Sequence, residues 1–363
     1  MSKWKERQQS KKISAAVITD KSTKELKVAA SFIKELLDLK KSLKLQKTYI
    51  VGTRAAIEYN GYNKIFLDFR FEGTATGRLS CASYNAKKRK GVSFHTLPRP
   101  DEDDDEGSNL ASNIRSLFIP PPTWDFITAD YATMELRILA HIAGEENMLK
   151  AFRSGEDLHS YTARLVFGKE KISKFERQLA KAVSFLIVYG GGPFNLSETM
   201  GIPMRRAEEI IGAYQTVYPK VFSYMDKVND STKMRGYAES IFGRRRHLPN
   251  VNSKDLKLVN RALRQGLNFT VQSPASDVLL CAVIGITQEF KEREMEARVV
   301  ATVHDSIEVV SPSWETREAA LIVKNEMEQY PVLRERMGME FSVPLVADIE
   351  VGDSFGTGKK LEL

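Results

Sequence analysis

Arg177-Gln-Leu-Ala-Lys181-Ala-Val-Ser-Phe185-Leu-Ile-Val-Tyr189-Gly190 carries four distinctive side chains at a constant four-residue spacing, and the pattern stops at the glycines of 190–192. On a helix of about 3.6 residues per turn, a four-residue step drifts by roughly 40°, so Arg177, Lys181, Phe185 and Tyr189 line one slowly winding face. That face presents two cations followed by two aromatic rings. A helix that only had to pack would place Leu or Val there. This one offers a bidentate phosphate donor, a point charge and two flat surfaces in sequence. Taken alone, the residues also suit an amphipathic helix with snorkelling Arg and Lys stems and core Phe and Tyr.

The chain has 363 residues, 42% of them hydrophobic, which is enough for a substantial core and for two or three domains. Lys and Arg exceed Asp and Glu by seven, 54 against 47, despite a local acidic run. Some surface must therefore be distinctly basic, and a polyanionic partner is favoured. The only cysteines are Cys81 and Cys281, far apart and in no metal-ligand spacing, as in a protein of a reducing compartment. No apolar run reads as a membrane span and the N-terminus lacks a signal-peptide core, so the cytoplasm is the expected location.

From Met1 to about Lys24 the sequence is strongly basic, with Lys3, Lys5, Arg7, Lys11 and Lys12, and reads as a solvated or phosphate-contacting arm. From Glu25 to about Tyr49, Val28, Ala29, Phe32, Ile33, Leu36, Leu37 and Leu43 follow helical spacing. Beyond Gly52 short strands and turns are expected, notably over Lys64–Phe71, followed by Thr74-Ala-Thr-Gly77-Arg78-Leu-Ser80, a basic run at 87–90 and an acidic run at 101–106 that reads as solvated loop. After Pro120–Pro122, Trp124–Asp130 reads as a buried strand and Tyr131–His141 as the helix after it. Arg298–Val303 and Ile307–Val310 flank His304-Asp305-Ser306, a hairpin with Asp305 at its tip. Asp130 and Asp305 thus fall at strand ends, where paired carboxylates can hold divalent cations. Separately, each is a common turn residue.

Together with the opening helix these segments become specific. Asp130-Tyr-Ala-Thr-Met-Glu135-Leu-Arg resembles motif A of the family A DNA polymerases, Arg177–Gly190 resembles motif B, and Val303-His-Asp-Ser resembles motif C. The likeness extends to Thr74–Ser80, to Asp157-Leu-His159, to Phe242-Gly-Arg-Arg-Arg-His-Leu-Pro249 and to Arg264, Asn268 and Gln272, covering nearly the whole chain from Glu25 onward.

The resemblance implies an α+β right-hand polymerase fold with an antiparallel palm sheet, helical fingers and a truncated helical thumb. The implied boundaries are a basic arm and thumb remnant over 1–50, palm over 51–140, fingers over 141–257 and palm again over 258–363. It implies dNTP addition to a primer 3′-hydroxyl on primer-template DNA, with two Mg²⁺ ions, or Mn²⁺, held by Asp130, Asp305 and the backbone carbonyl of Tyr131. Arg177 and Lys181 would hold the triphosphate with His159 assisting, and Lys181 would protonate the departing pyrophosphate. Glu135 would wall off a 2′-hydroxyl, Phe185 would pack beside the sugar, and Tyr189 would stack at the template position. Arg78, Arg264, Asn268, Gln272 and His304 would contact DNA; minor-groove donors among them can test pair geometry because every Watson–Crick pair offers acceptors there.

Departures from the family pattern carry their own expectations. Ser306 stands where the family commonly has Glu after the motif C Asp, removing a third carboxylate, and strand alternation alone does not bring Glu308 to the same place. Ala132, Thr133 and Met134 replace the commoner Ser, Gln and Ile of motif A. Only about 50 residues precede the first palm strands, too few for an exonuclease domain, so synthesis without intrinsic proofreading is expected, with a separate exonuclease or processivity subunit as a candidate partner. The alternatives are a catalytically weak DNA-binding subunit of a replication complex, which Ser306 would suit, and a single-subunit RNA polymerase, against which Glu135 argues.

Overall fold

The computed structural model describes residues 24–60, 64–82, 93–98 and 110–363. The basic arm before Lys24, the basic run at 87–90 and the acidic run at 101–106 lie outside the described residues. Contacts divide the chain into two compact units, one of residues 1–68 and 81–97, the other of 69–80 and 98–363.

In the first unit, α1 (Lys24–Leu45) passes into a π-helical turn, Gln46–Val51, and then α2 (Gly52–Asn60). Tyr49, buried within that turn, donates its hydroxyl proton to the Thr96 carbonyl. The short strands expected just beyond Gly52 are absent; helix continues there to Asn60, because Ala55, Ala56 and Ile57 carry the helical period on. Within the Lys64–Phe71 run only β1 (Asp68–Arg70) is strand, and β2 (Ser80–Ala82) follows it.

The second unit is built on a five-stranded antiparallel sheet flanked by helices. In chain order its elements begin with α3 (Leu110–Arg115), β3 (Trp124–Tyr131), α4 (Met134–Ala143), α5 (Glu146–Arg153), α6 (Leu158–Phe167), α7 (Lys174–Val188), α8 (Pro193–Met200), α9 (Met204–Val217) and α10 (Pro219–Arg235). The hairpin of β4 (Tyr237–Glu239) and β5 (Arg245–His247) leads to α11 (Leu256–Glu292). The chain closes with β6 (Arg298–Val303), β7 (Ser306–Pro312), α12 (Thr316–Gln329), α13 (Pro331–Met337), β8 (Ala347–Gly352) and β9 (Lys359–Lys360). The sheet order is β6-β7-β3-β8-β9.

Alternation along these strands creates two unlike faces. Ile127, Ala129, Ile307, Val309 and Ile349 point into the core shared with α11 and α12. Thr128, Asp130, Ser306, Glu308, Asp348 and Glu350 occupy the other face, since directly paired residues lie on the same side. α4 begins three residues later than the sequence suggests, because Thr133 takes a left-handed conformation with φ of 50° and makes a turn out of β3.

α11 corrects one expectation. Over 18 residues it is apolar enough to count as a candidate membrane span, but 72% of that stretch is buried inside the protein, as for the core helix of a globular fold. Gly285 on this helix faces Glu326 so closely that a Cβ would stand 1.8 Å from its Oε2. That oxygen is buried without a hydrogen-bond partner, and burial, with Glu289 adding, pushes the carboxyl up to about 7. A folded-state value above the ordinary 4.5 means the folded chain keeps a proton that the unfolded chain releases. Stability therefore falls as pH rises from the ordinary value through about 7, and the full cost is present above it. Glu326→Gln is expected to be more stable than the wild type at pH 8, by about 1–3 kcal/mol, and close to it at pH 5. Calorimetry at both pH values checks this; an equal shift at both would contradict it.

Candidate active site

The strand ends bring the two predicted aspartates to one junction. Asp130, exposed near the end of β3, pairs across to Ser306 on one side and Asp348 on the other. Asp305 lies in the β6–β7 turn, which His304 makes with a φ of 62°. The Tyr131 N–H donates to the Asp305 carbonyl at 3.2 Å, tying the turn to the end of β3. The Tyr131 ring faces the opposite way, its hydroxyl donating to the Met327 carbonyl at 2.8 Å in the core. Glu308 stands on the same face as Ser306, because residues two apart on a strand share a face. It is fully buried, and burial pushes its carboxyl up to about 7 although the Ser306 and Thr128 hydroxyls donate to it.

α7 is started by a capping box. The Ser173 Oγ accepts from the Glu176 N–H at 3.2 Å, while the Glu176 Oε2 accepts from the Ser173 N–H at 2.8 Å, an arrangement worth about 1 kcal/mol. Leu179, Ala180, Val183, Ser184, Ile187 and Val188 are buried on one side, so Arg177, Lys181 and Phe185 are left on the other. Tyr189 is the residue that ends the helix.

Arg177 is engaged by Asp157 through Nε at 2.8 Å and Nη2 at 3.1 Å. Partial burial works against the Asp157 carboxylate, yet Arg177 and the Ser160 hydroxyl and N–H outweigh it and hold the carboxyl at about 2. Asp157 also caps α6, its carboxylate accepting from the Ser160 N–H at 2.9 Å, and its long-range pairing with Arg177 gives no local signal in the sequence. His159 sits beside this pair with its ring 5.9 Å from that of Phe185. Burial, with Arg177 and Lys181 adding against the opposing pull of Asp157, lowers it to about 4, so it is neutral at pH 7. Its Nδ1 is buried without a partner.

Glu135 gathers side chains from three other segments. Its Oε1 accepts from Arg78 Nη2 at 2.8 Å and from Gln272 Nε2 at 3.2 Å, and its Oε2 from the Tyr189 hydroxyl at 3.1 Å. Burial, then the Glu135 charge, pushes the Tyr189 phenol up to about 12. Arg78 Nη2 also donates to Asp305 Oδ1 at 2.8 Å and so bridges the two acids. The loop that carries Arg78 is fixed to α11 by the Ser276 hydroxyl, which donates to the Gly77 carbonyl at 2.9 Å. Gly77 has a φ of 81° and lies so close to Arg244 that a Cβ would stand 3.0 Å from its guanidinium. Arg244 is in turn held by Asp277 at 2.6 Å, a pairing the sequence did not announce.

Gln272 therefore faces Glu135. One turn earlier on α11, Asn268 has a buried Nδ2 without a partner, and two turns earlier Arg264 is exposed and packs against Gly190. A Cβ at Gly190, where φ is 64°, would stand 2.7 Å from the Arg264 Cγ, so α7 can end beside α11 only on a glycine.

The Asp130 and Asp305 carboxylates are hard oxygen donors of the kind that suits Mg²⁺ or Mn²⁺, and the Arg78 guanidinium already answers the negative charge on Asp305. Among the described residues no group of three or more His, Cys, Asp or Glu gathers to hold a cation. The pair fits an ion that completes its shell with a carbonyl, water and substrate phosphates, as Mg²⁺ commonly does.

A sequence model of DNA polymerase family A matches residues 1–357. DNA polymerase I of Streptococcus pneumoniae is 33% identical over 336 residues, 91% of this chain and 35% of that protein. DNA polymerase I of Geobacillus stearothermophilus is 32% identical over 90% of this chain and 35% of its own length. The chain spans about a third of the length of these curated relatives. The solved POL domain of Pol1 from M. smegmatis, in complex with DNA primer-template and dNTP, superimposes with a TM-score of 0.79 at 26% identity, over 93% of this chain and 56% of that one.

Proposed function

The chain belongs to DNA polymerase family A, and from that membership we propose that it is a DNA-directed DNA polymerase that adds dNTPs to a primer 3′-hydroxyl on a DNA template. The observation that carries the reading is the convergence of Asp130, Asp305, Glu135, Arg78, Tyr189 and Gln272 from five separate segments on one junction. In the reaction, the 3′-oxygen forms a bond to the α-phosphorus, the bond from that phosphorus to the bridging oxygen breaks, and pyrophosphate leaves. Two divalent cations bound by Asp130, Asp305 and the Tyr131 carbonyl would activate the 3′-hydroxyl and neutralise charge on the leaving group.

The chain's own residues do the positioning. Arg177 and Lys181 hold the triphosphate, which requires Arg177 to exchange Asp157 for phosphate, and Lys181 gives a proton to the pyrophosphate. His159, neutral at pH 7, assists through its ring nitrogens and not as a cation. Glu135 stands beneath the sugar and excludes a 2′-hydroxyl. Arg78, which bonds both Glu135 and Asp305, turns with Arg264, Asn268, Gln272 and His304 to the DNA. Tyr189 leaves Glu135 to stack at the template position. The thumb, palm and finger boundaries at about residues 50, 140 and 257, a cytoplasmic setting and synthesis without editing by these residues are parts of the same proposal.

Phe185 packs beside the sugar and brings no hydroxyl to it. Phe185→Tyr is expected to raise ddNTP incorporation relative to dNTP by about tenfold or more, measured as a ratio of single-turnover rates. An unchanged ratio would count against this placement. The reading as a whole is tested by primer extension with dNTPs against rNTPs, using the wild type and Asp130→Ala.

A further inference from the structure

Glu308 lies in the middle of β7, fully buried, on the acidic face of the sheet. Its Oε1 accepts from Ser306 Oγ at 2.6 Å and its Oε2 from Thr128 Oγ1 at 2.7 Å. Thr128 is its direct partner across β3, and Ser306 is the partner of Asp130, so the four side chains fill two successive rungs of one face. Opposed Cβ atoms on such rungs stand about 5 Å apart. The other acid beside Asp130, Asp348, is neutralised by Lys360 at 2.7 Å. The Ser306 and Thr128 hydroxyls hold Glu308 directly. A carboxyl in this place costs stability that an apolar residue in a sheet interior would not. What it gains is position, one rung beneath the exposed carboxylate of Asp130 and three residues beyond Asp305 in the same strand-end cluster.

We propose that Glu308 is a positioning residue for the cation site: tethered by Ser306 and Thr128, it fixes the rung on which Asp130 stands and supplies from below the third carboxylate that Ser306 withholds. The two neighbouring positions have exchanged tasks. Ser306, where the motif C resemblance leads one to expect an acid, contributes a hydroxyl that orients an acid two residues further along the same face. Groups behind the direct ligands set metal affinity by roughly 10- to 100-fold, and Glu308 acts in that range. The inference rests on the reading of Asp130 and Asp305 as cation ligands.

The test is direct Mn²⁺ binding by the full chain, read as loss of the free-ion paramagnetic resonance signal without DNA or nucleotide. Glu308→Gln keeps the size of the side chain and removes its charge; it is expected to weaken binding about tenfold with no fall in melting temperature. Ser306→Glu combined with Glu308→Gln, which moves the carboxylate two residues along the face, is expected to recover most of that loss. Thr128→Val, which unties one oxygen of Glu308, is expected to weaken binding several-fold and keeps the proposal testable if Glu308→Gln does not fold. Asp130→Ala run alongside separates the two readings. Wild-type binding in Asp130→Ala overturns the cation reading itself. Lost binding in Asp130→Ala with Glu308→Gln, or Thr128→Val in its place, within twofold of wild type overturns only the role of Glu308. A loss in Glu308→Gln that comes with a lower melting temperature and is not recovered by the relocated carboxylate overturns that role as well.

Discussion

Asp130→Ala is expected to lower the rate of primer extension by about 10³-fold while leaving the melting temperature within about a degree of wild type. The two halves of this expectation come from different features of the same residue. Asp130 is exposed, so its truncation opens no cavity, and β3 keeps its pairing with β7 and β8 on both sides. Ile127 and Ala129, which anchor the strand in the core, are untouched. Yet its carboxylate stands with Asp305 at the strand-end junction, and the adjacent Asp348 is committed to Lys360. A folded protein with unchanged extension rate would remove Asp130 from the chemistry. A rate loss that tracks a fall in melting temperature would make its role structural.

Glu135→Ala is expected to collapse sugar selection, lowering the preference for dNTP over the matching rNTP by about a hundredfold. Glu135 is 5% exposed on the buried first turn of α4, so its carboxyl has little room to swing aside for a 2′-hydroxyl even when Arg78, Gln272 and Tyr189 turn to the DNA. Truncation removes both the wall and the anchor of three polar groups, and the dNTP rate should fall as well. The ratio of the two rates at one enzyme preparation is therefore the proper readout. A preference unchanged by the mutation would place the sugar elsewhere.

The same residues show how far the sequence could be read. The four-residue spacing of Arg177, Lys181, Phe185 and Tyr189 is a local signal, and α7 carries it out to the residue that ends the helix. Asp130 and Asp305 were legible as strand-end acids because alternation and turn chemistry act within a few residues. What the sequence concealed is pairing at a distance. Asp157 meets Arg177 from the next helix, and Arg78 reads as a DNA-facing cation until the loop is fastened to α11 and the guanidinium spans Glu135 and Asp305. The helix over Gly52–Asn60 was missed because a π-turn at 46–51 interrupts the period before it. Glu308 was left open because its place depends on the register between β7 and β3, a long-range quantity that no periodicity encodes. His159 reads from the sequence as an aid to the phosphates, and only its burial shows that it carries no charge at neutral pH.

As proposed, this junction copies a DNA template with deoxynucleotides. A labelled DNA primer annealed to a template, offered each dNTP and each rNTP singly with Mg²⁺, tests it most directly. Extension by one nucleotide is expected with the complementary dNTP, with its rNTP counterpart far slower and Asp130→Ala and Asp305→Ala about 10³-fold slower than wild type. Extension that ignores the template base, equal use of the complementary rNTP, or no extension by a folded wild-type chain would contradict it.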